Sequence, residues 1–174
     1  MMRISWVIFF LFSFFLSFNK VYAESSYVLP YPSSMPGNSM YKVRLVYEYI
    51  SKYWYFGDLG QFKYNLKMTD KYLVEAKTLF EYKQYLLGYK ALESSNFYFS
   101  NTLPNLAMAE KSGKDVSRKK IILTSAVQKH IETLEQMDID TPDNFSWEPE
   151  KSLPTVLGIK GLIEEATNVR KNTL

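Results

Sequence analysis

The sequence predicts an all-α protein: antiparallel helical hairpins in a bundle of about five helices, behind an extended, proline-rich lead-in. Three observations carry this. From Ser39 onward apolar residues recur at spacings of three and four, the signature of one buried helix face. Glycine, proline and capping residues divide that pattern into helix-length pieces joined by short turns, which favours antiparallel neighbours. No segment has the strict apolar–polar alternation of a half-buried strand.

The lead-in, residues 24–39, contains Pro30, Pro32 and Pro36, which fix φ and bias the preceding residues toward extended backbone. No helix is therefore predicted before Pro36, and Gly37-Asn38 supplies a turn. Tyr27, Val28, Leu29 and Tyr31 predict that the segment lies along the helical body. In the first helix Met40, Val43, Val46/Tyr47, Ile50 and Trp54 form the stripe predicted to face the core. Gly57 is placed to stop it, and Asp58 with Gln61 reads as a capping box for the next helix. The same F-G-D-L-G stretch lacks the basic cluster that a phosphate clamp needs.

The second helix, Leu59 to Tyr82, carries a near-heptad seam of Leu59, Phe62, Leu66, Thr69, Leu73, Ala76 and Phe80. A third follows with little or no break through Tyr85, Tyr89, Leu92, Phe99, Leu103 and Leu106, and Pro104 must kink or divide it. Lys111–Asp115 is the next stop-and-start signal. The fourth helix, Val116 to Met137, aligns Val116, Leu123, Val127, His130, Leu134 and Met137. Residues 138–151 read as an acidic connecting loop, docked by Phe145 and Trp147. The domain at 40–137 is completed by residues 152–174, whose helix from Leu153 to Lys171 is predicted to bury Val156, Ile159, Ile163 and Ala166. Its final Arg170-Lys171 suits the negative end of the helix dipole.

Residues 1–23 have the three parts of a secretory leader: Arg3, the apolar run Ile4–Phe18, and V-Y-A ending at Ala23. The run is shorter than the ~20 apolar residues of a spanning helix, so length favours cleavage after Ala23 over retention as an anchor. No cysteine follows it for a lipoprotein anchor. Export to the cell envelope or beyond is the localisation this implies, with membrane contact only through the leader if it stays attached. The whole chain carries +3, and without Arg3 and Lys20 it carries +1. Near-neutrality gives no case for nucleic acid as a partner. With Cys 0, there is no disulfide, thiolate metal site or cysteine nucleophile.

Little else carries chemistry. His130 is the sole histidine and sits on an apolar stripe, so it reads as a buried polar site bonded to a tyrosine or a backbone carbonyl. It lacks the converging ligands of a metal centre and a recognisable nucleophile beside it. No catalytic residue, metal or cofactor is assigned. The carboxylate pairs Glu132/Glu135, Glu148/Glu150 and Glu164/Glu165 are each local to one segment, whereas glycoside hydrolysis needs two carboxyls facing across a cleft. Arg118-Lys119-Lys120 reads as a solvated first turn, and Asn144-Phe145-Ser146 matches a glycosylation sequon. Of the 14 tyrosines all but Tyr22 lie between Tyr27 and Tyr98. Most suit packing between helices, while Tyr49, Tyr53 and Tyr55 are the candidates for contact with a partner, since tyrosine joins apolar area to a polar tip.

Val28–Pro32 (V-L-P-Y-P), Pro36, Met40-Tyr41, Tyr53–Asp58 (Y-W-Y-F-G-D), Tyr72–Leu79 and Lys129–Glu135 together resemble a family of exported bacterial proteins of unknown function, common in candidate-phylum bacteria. Ser33 and Ser39 depart from its usual residues around the lead-in. The resemblance implies long helical hairpins and an extracytoplasmic location, and it brings no catalytic residues. Two functions follow as expectations. The first is a non-enzymatic binding or scaffold module that meets an envelope protein or surface polymer. The second is a protein that binds or hydrolyses envelope glycans through a tyrosine-lined surface.

Overall fold

The structure is a computed structural model that describes residues 26–32 and 35–174. The leader lies outside these residues. The chain is all-α in its body, with one small hairpin of strands. Its helices are α1 (Ser39–Ser51), α2 (Gly57–Glu81), α3 (Tyr85–Ser100), α4 (Thr102–Lys111), α5 (Ser117–Asp140) and α6 (Ile159–Lys171). A 3-10 turn, Lys52–Trp54, follows α1, and strands β1 (Asn144–Trp147) and β2 (Thr155–Gly158) lie between α5 and α6.

The lead-in is extended where described, and α1 begins beyond Pro36 as its prolines predict. Asn38 caps α1, its Oδ1 accepting from the Met40 N–H at 2.9 Å. The predicted capping box at Asp58 does not form. Gln61 instead reaches back to donate to the Tyr55 carbonyl at 2.6 Å, because the 3-10 turn leaves that oxygen without a helical partner. Asp58 pairs with Lys114 across the bundle at 3.4 Å. Gly57 does take left-handed backbone, with φ +66°, where the chain reverses into α2.

The predicted seam of α2 is the centre of the molecule: Phe62, Leu66, Thr69, Leu73, Ala76 and Phe80 are all buried. A turn separates α2 from α3 although no glycine announces it. Lys83 takes φ +59°, and the Gln84 N–H closes the helix on the Leu79 carbonyl at 2.8 Å. The two helices then cross closely at Gly88, where a Cβ would stand 2.6 Å from the Phe80 ring. Pro104 divides rather than kinks. The helix breaks at Asn101, and Pro104 falls in the first turn of α4, where its missing N–H costs no bond. Side chains of Ser100, Asn101 and Thr102 take up the freed carbonyls of Phe97 and Phe99.

The acidic loop and the start of the last helix are corrected. β1 and β2 pair antiparallel, with Phe145 opposite Leu157 and Ser146 opposite Val156. The T-V-L-G run that continues the predicted helical stripe is strand, and Val156 is exposed. Strands of four residues with one docked side chain are too short for alternation to register. Phe145 does dock, against Tyr85 with ring centroids 5.1 Å apart.

The apolar interior falls into two clusters. One joins the second half of α2 to α3, α5 and α6 around Leu73, Leu79, Leu92, Leu134 and Ile163. The other joins the first half of α2 to the end of α3, to α4 and to α5 around Phe62, Phe99, Leu106, Leu123 and Val127. Between them, at one level across four helices, lie buried polar residues: Thr69 and Asp70 of α2, Ser95 of α3, His130 of α5 and Arg170 of α6.

Candidate functional site

Helix α1 is turned opposite to its predicted orientation. Met40, Val43, Val46, Tyr47, Ile50 and Trp54 are all exposed, with Val43 at 63 % and Trp54 at 61 %. The residues facing the body are Tyr41, Arg44, Glu48 and Ser51, again at spacings of three and four. The cause lies on α2. Its apolar seam is already covered by α3, α4 and α5, and the side left for α1 carries Lys71 and Glu75. Arg44 donates to Glu75 at 3.0 Å and approaches Glu48 at 3.4 Å, and Lys71 donates to Glu48 at 2.5 Å. The Tyr41 hydroxyl donates to Glu75 at 3.2 Å, and burial together with that carboxylate pushes its pKa up to about 12. Burial lowers the Lys71 ammonium, against the pull of Glu48. Tyr64 donates to the Glu48 carbonyl at 3.2 Å, which ties the middle of α1 to α2.

The outward side of α1 is continued by the 3-10 turn. Tyr49 stacks edge-on against Tyr53 and Tyr47 against Trp54, each with ring centroids 6.0 Å apart. Of the three tyrosines picked from sequence, Tyr49 and Tyr53 therefore lie on this surface. Tyr55 does not: it is half-buried against Tyr64 at 5.5 Å. Tyr64 meets Tyr98, and Tyr98 stacks on Tyr72 with planes 3° apart, so these four rings pack helices together. Phe56 adds an exposed ring beyond the turn.

His130 is buried as predicted, with a different partner. Its Nε2 lies 2.6 Å from Asp70 Oδ1, and the Tyr27 hydroxyl donates to Asp70 Oδ2 at 2.6 Å. Tyr27 thereby docks the lead-in on the bundle, as Met35 does against the other apolar cluster. Burial holds the imidazole below its ordinary value, opposed by the bond to Asp70 and reinforced by the charge of Arg170. The neutral ring thus carries its proton on Nε2 toward Asp70, and Nδ1 has no hydrogen-bond partner among the described residues. Arg170, read from sequence as suiting the negative end of the helix dipole, turns inward and is fully buried. It donates to Asn96 at 2.8 Å, to Ser95 at 2.9 Å and to the Ala166 carbonyl at 2.9 Å, and its guanidinium lies 4.7 Å from the Phe99 ring centre. Burial pushes it down to about 9, so it remains charged at neutral pH with Asp70 as counter-charge. Both Asp70 oxygens are occupied by protein groups, and His130 is sealed from solvent.

A groove of ≈ 390 Å³ runs between the lead-in, α2 and α5, with Phe62, Leu66 and Ile122 on its floor and Lys63, Lys67 and Lys119 at its edges. Asp70 is its one carboxylate. A groove of ≈ 460 Å³ beside Tyr72 and Tyr98 has only Glu93, and one of ≈ 610 Å³ between α5 and α6 has no tyrosine. In none of the three do tyrosines meet carboxylates from two helices. Among the described residues no three of His, Cys, Asp and Glu gather to hold a metal ion. None of the helices described is long and apolar enough to cross a membrane. Compared with protein-family models, curated proteins and solved structures, the chain finds no match.

Proposed function

We propose that this chain is a non-enzymatic binding module exported to the cell envelope, and that α1 and its 3-10 turn present the contact surface. One observation carries the reading: α1 turns Arg44 and Glu48 toward the body and its apolar side chains outside. A contiguous exposed apolar face is unfavourable in water and marks a contact site when it is retained. The leader-like residues 1–23 and the likeness of the lead-in to exported proteins supply the compartment. Hydrolysis of glycans has less support, because the sealed His130 and the separated carboxylates offer no acid–base pair across a cleft.

A photo-cross-linking amino acid placed at Val46 in the full chain tests this in cells. Ile121, an exposed apolar residue on α5, is the control position. Adducts to protein, polymer or lipid from Val46 and none from Ile121 are the predicted result. Equal yields from the two positions, or none from Val46, would overturn the assignment of the surface.

A further inference from the structure

We infer that the partner of the α1 face is a lipid surface carrying anionic headgroups, with α1 lying flat in the interface. This rests on the reading of α1 as the contact surface and names what it contacts. From Ser39 to Phe56 the chain has one acid, Glu48, and it is turned inward against Lys71. The exposed residues of the same stretch include Lys42 and Lys52 and no carboxylate. Val43, Val46 and Ile50 run along the outward side, and Lys42 and Tyr49 border them. Aromatic rings cluster at the C-terminal end, in Tyr53, Trp54 and Phe56.

An apolar stripe edged by lysines and ended by tyrosine and tryptophan is the pattern of a helix lying in a headgroup layer. The aliphatic side chains enter the acyl boundary, the rings sit at headgroup depth, and the lysine stems extend so that the ammonium groups reach phosphate. Thirteen residues give a helix of about 20 Å, long enough to lie in the interface and too short to span the hydrocarbon layer. A second copy of the chain fits less well. Self-pairing of two such faces would bring lysines together with no acid on either face to meet them. The uncharged run Ile4–Phe18 would likewise leave both lysines without a partner. The sequence assigns membrane contact to the leader alone; the α1 face adds a second contact within the folded body.

The test uses the full chain with phosphatidylcholine vesicles, with and without phosphatidylglycerol, whose acyl chains carry bromine to quench nearby tryptophan. In one variant, Trp6→Phe/Trp147→Phe, Trp54 is the sole tryptophan; in the other, Trp6→Phe/Trp54→Phe, it is Trp147 on the hairpin. Quenching of Trp54 and not of Trp147 is the expected result, since the hairpin packs on α3 and α6. Lys42→Gln and Lys52→Gln should each weaken binding to the anionic vesicles about fivefold at low salt. If the leader alone holds the chain to vesicles, both tryptophans stay unquenched and the inference fails. It also fails if Trp54 is shielded in lipid-free buffer, with a dimer in light scattering pointing to a second copy and a monomer to the chain's own apolar run. Protein-only adducts at Val46 in cells would overturn the lipid assignment while leaving the contact surface in place.

Discussion

Lys71 of α2 and Glu48 of α1 meet with Nζ and Oε2 2.5 Å apart, in a contact from which water is largely excluded. Glu75 lies on the other side of Arg44, so two cations and two carboxylates alternate between the helices. A thirteen-residue helix is marginal by itself in water. Its orientation is therefore set by these polar contacts, which cost free energy if broken and cannot form with α1 rotated. Replacing Glu75 by alanine removes the acceptor shared by Tyr41 and Arg44. We predict a loss of about 2 kcal/mol, the scale of a hydrogen bond to a charged group. Hydrogen exchange should speed up selectively in α1, and protection lost uniformly along α2 and α3 would argue against this role.

His130 gives the fold a dependence on acid. The unfolded chain takes up a proton at the ordinary histidine value of 6.5, whereas the buried ring resists protonation until lower pH. Its contribution is intact above that value and declines as pH falls toward the folded pKa. The expected slope is at most about 1.4 kcal/mol per pH unit for one proton. His130→Asn, which retains an N–H donor for Asp70, should flatten the urea-derived stability profile between the unfolded value and the range where carboxylates titrate. Parallel profiles for the two proteins would exclude His130 as the source.

Arg170 holds α6 to α3 through a planar fork that reaches Ser95 and Asn96 together. Arg170→Ala leaves these groups and Asp70 without their cation, and should cost about 3–5 kcal/mol. Arg170→Lys should recover little of it, because a single ammonium does not reproduce the fork. Full recovery by lysine in chemical denaturation would show that charge alone matters.

The α2–α3 crossing makes opposite predictions for nearby backbone positions. Gly88→Ala drives a methyl into the Phe80 ring and should destabilise by about 1–3 kcal/mol. Lys83→Gly relieves a left-handed lysine and should stabilise by up to about 1 kcal/mol. Thermal melts of the two variants shifting in the same direction would contradict the turn geometry.

Much of the helical frame was legible in the sequence. The α2 seam and the α5 stripe gave their buried residues, since burial on those helices follows apolar periodicity. Periodicity failed where polar groups are buried instead. On α1 the apolar stripe pointed to the core, but only the partner helix decides which face turns inward, and α2 offers Lys71 and Glu75. Arg170 read as a dipole residue because its partners, Ser95 and Asn96, are 75 and 74 positions away. His130 was recognised as a buried polar group, yet nothing local marks Asp70 as its partner. The break before α3 was hidden because lysine stands where glycine usually signals a left-handed turn.

The orientation of α1 is open to direct measurement, because the chain contains no cysteine. Single replacements Val46→Cys, Ile50→Cys and Ser51→Cys in the full chain, without lipid, would be labelled by a maleimide and followed over time. Rapid labelling at positions 46 and 50, with position 51 protected, is the predicted result. Protection at 46 and 50 with rapid labelling at 51 would mean that the apolar face is turned inward, and would contradict the contact surface proposed here.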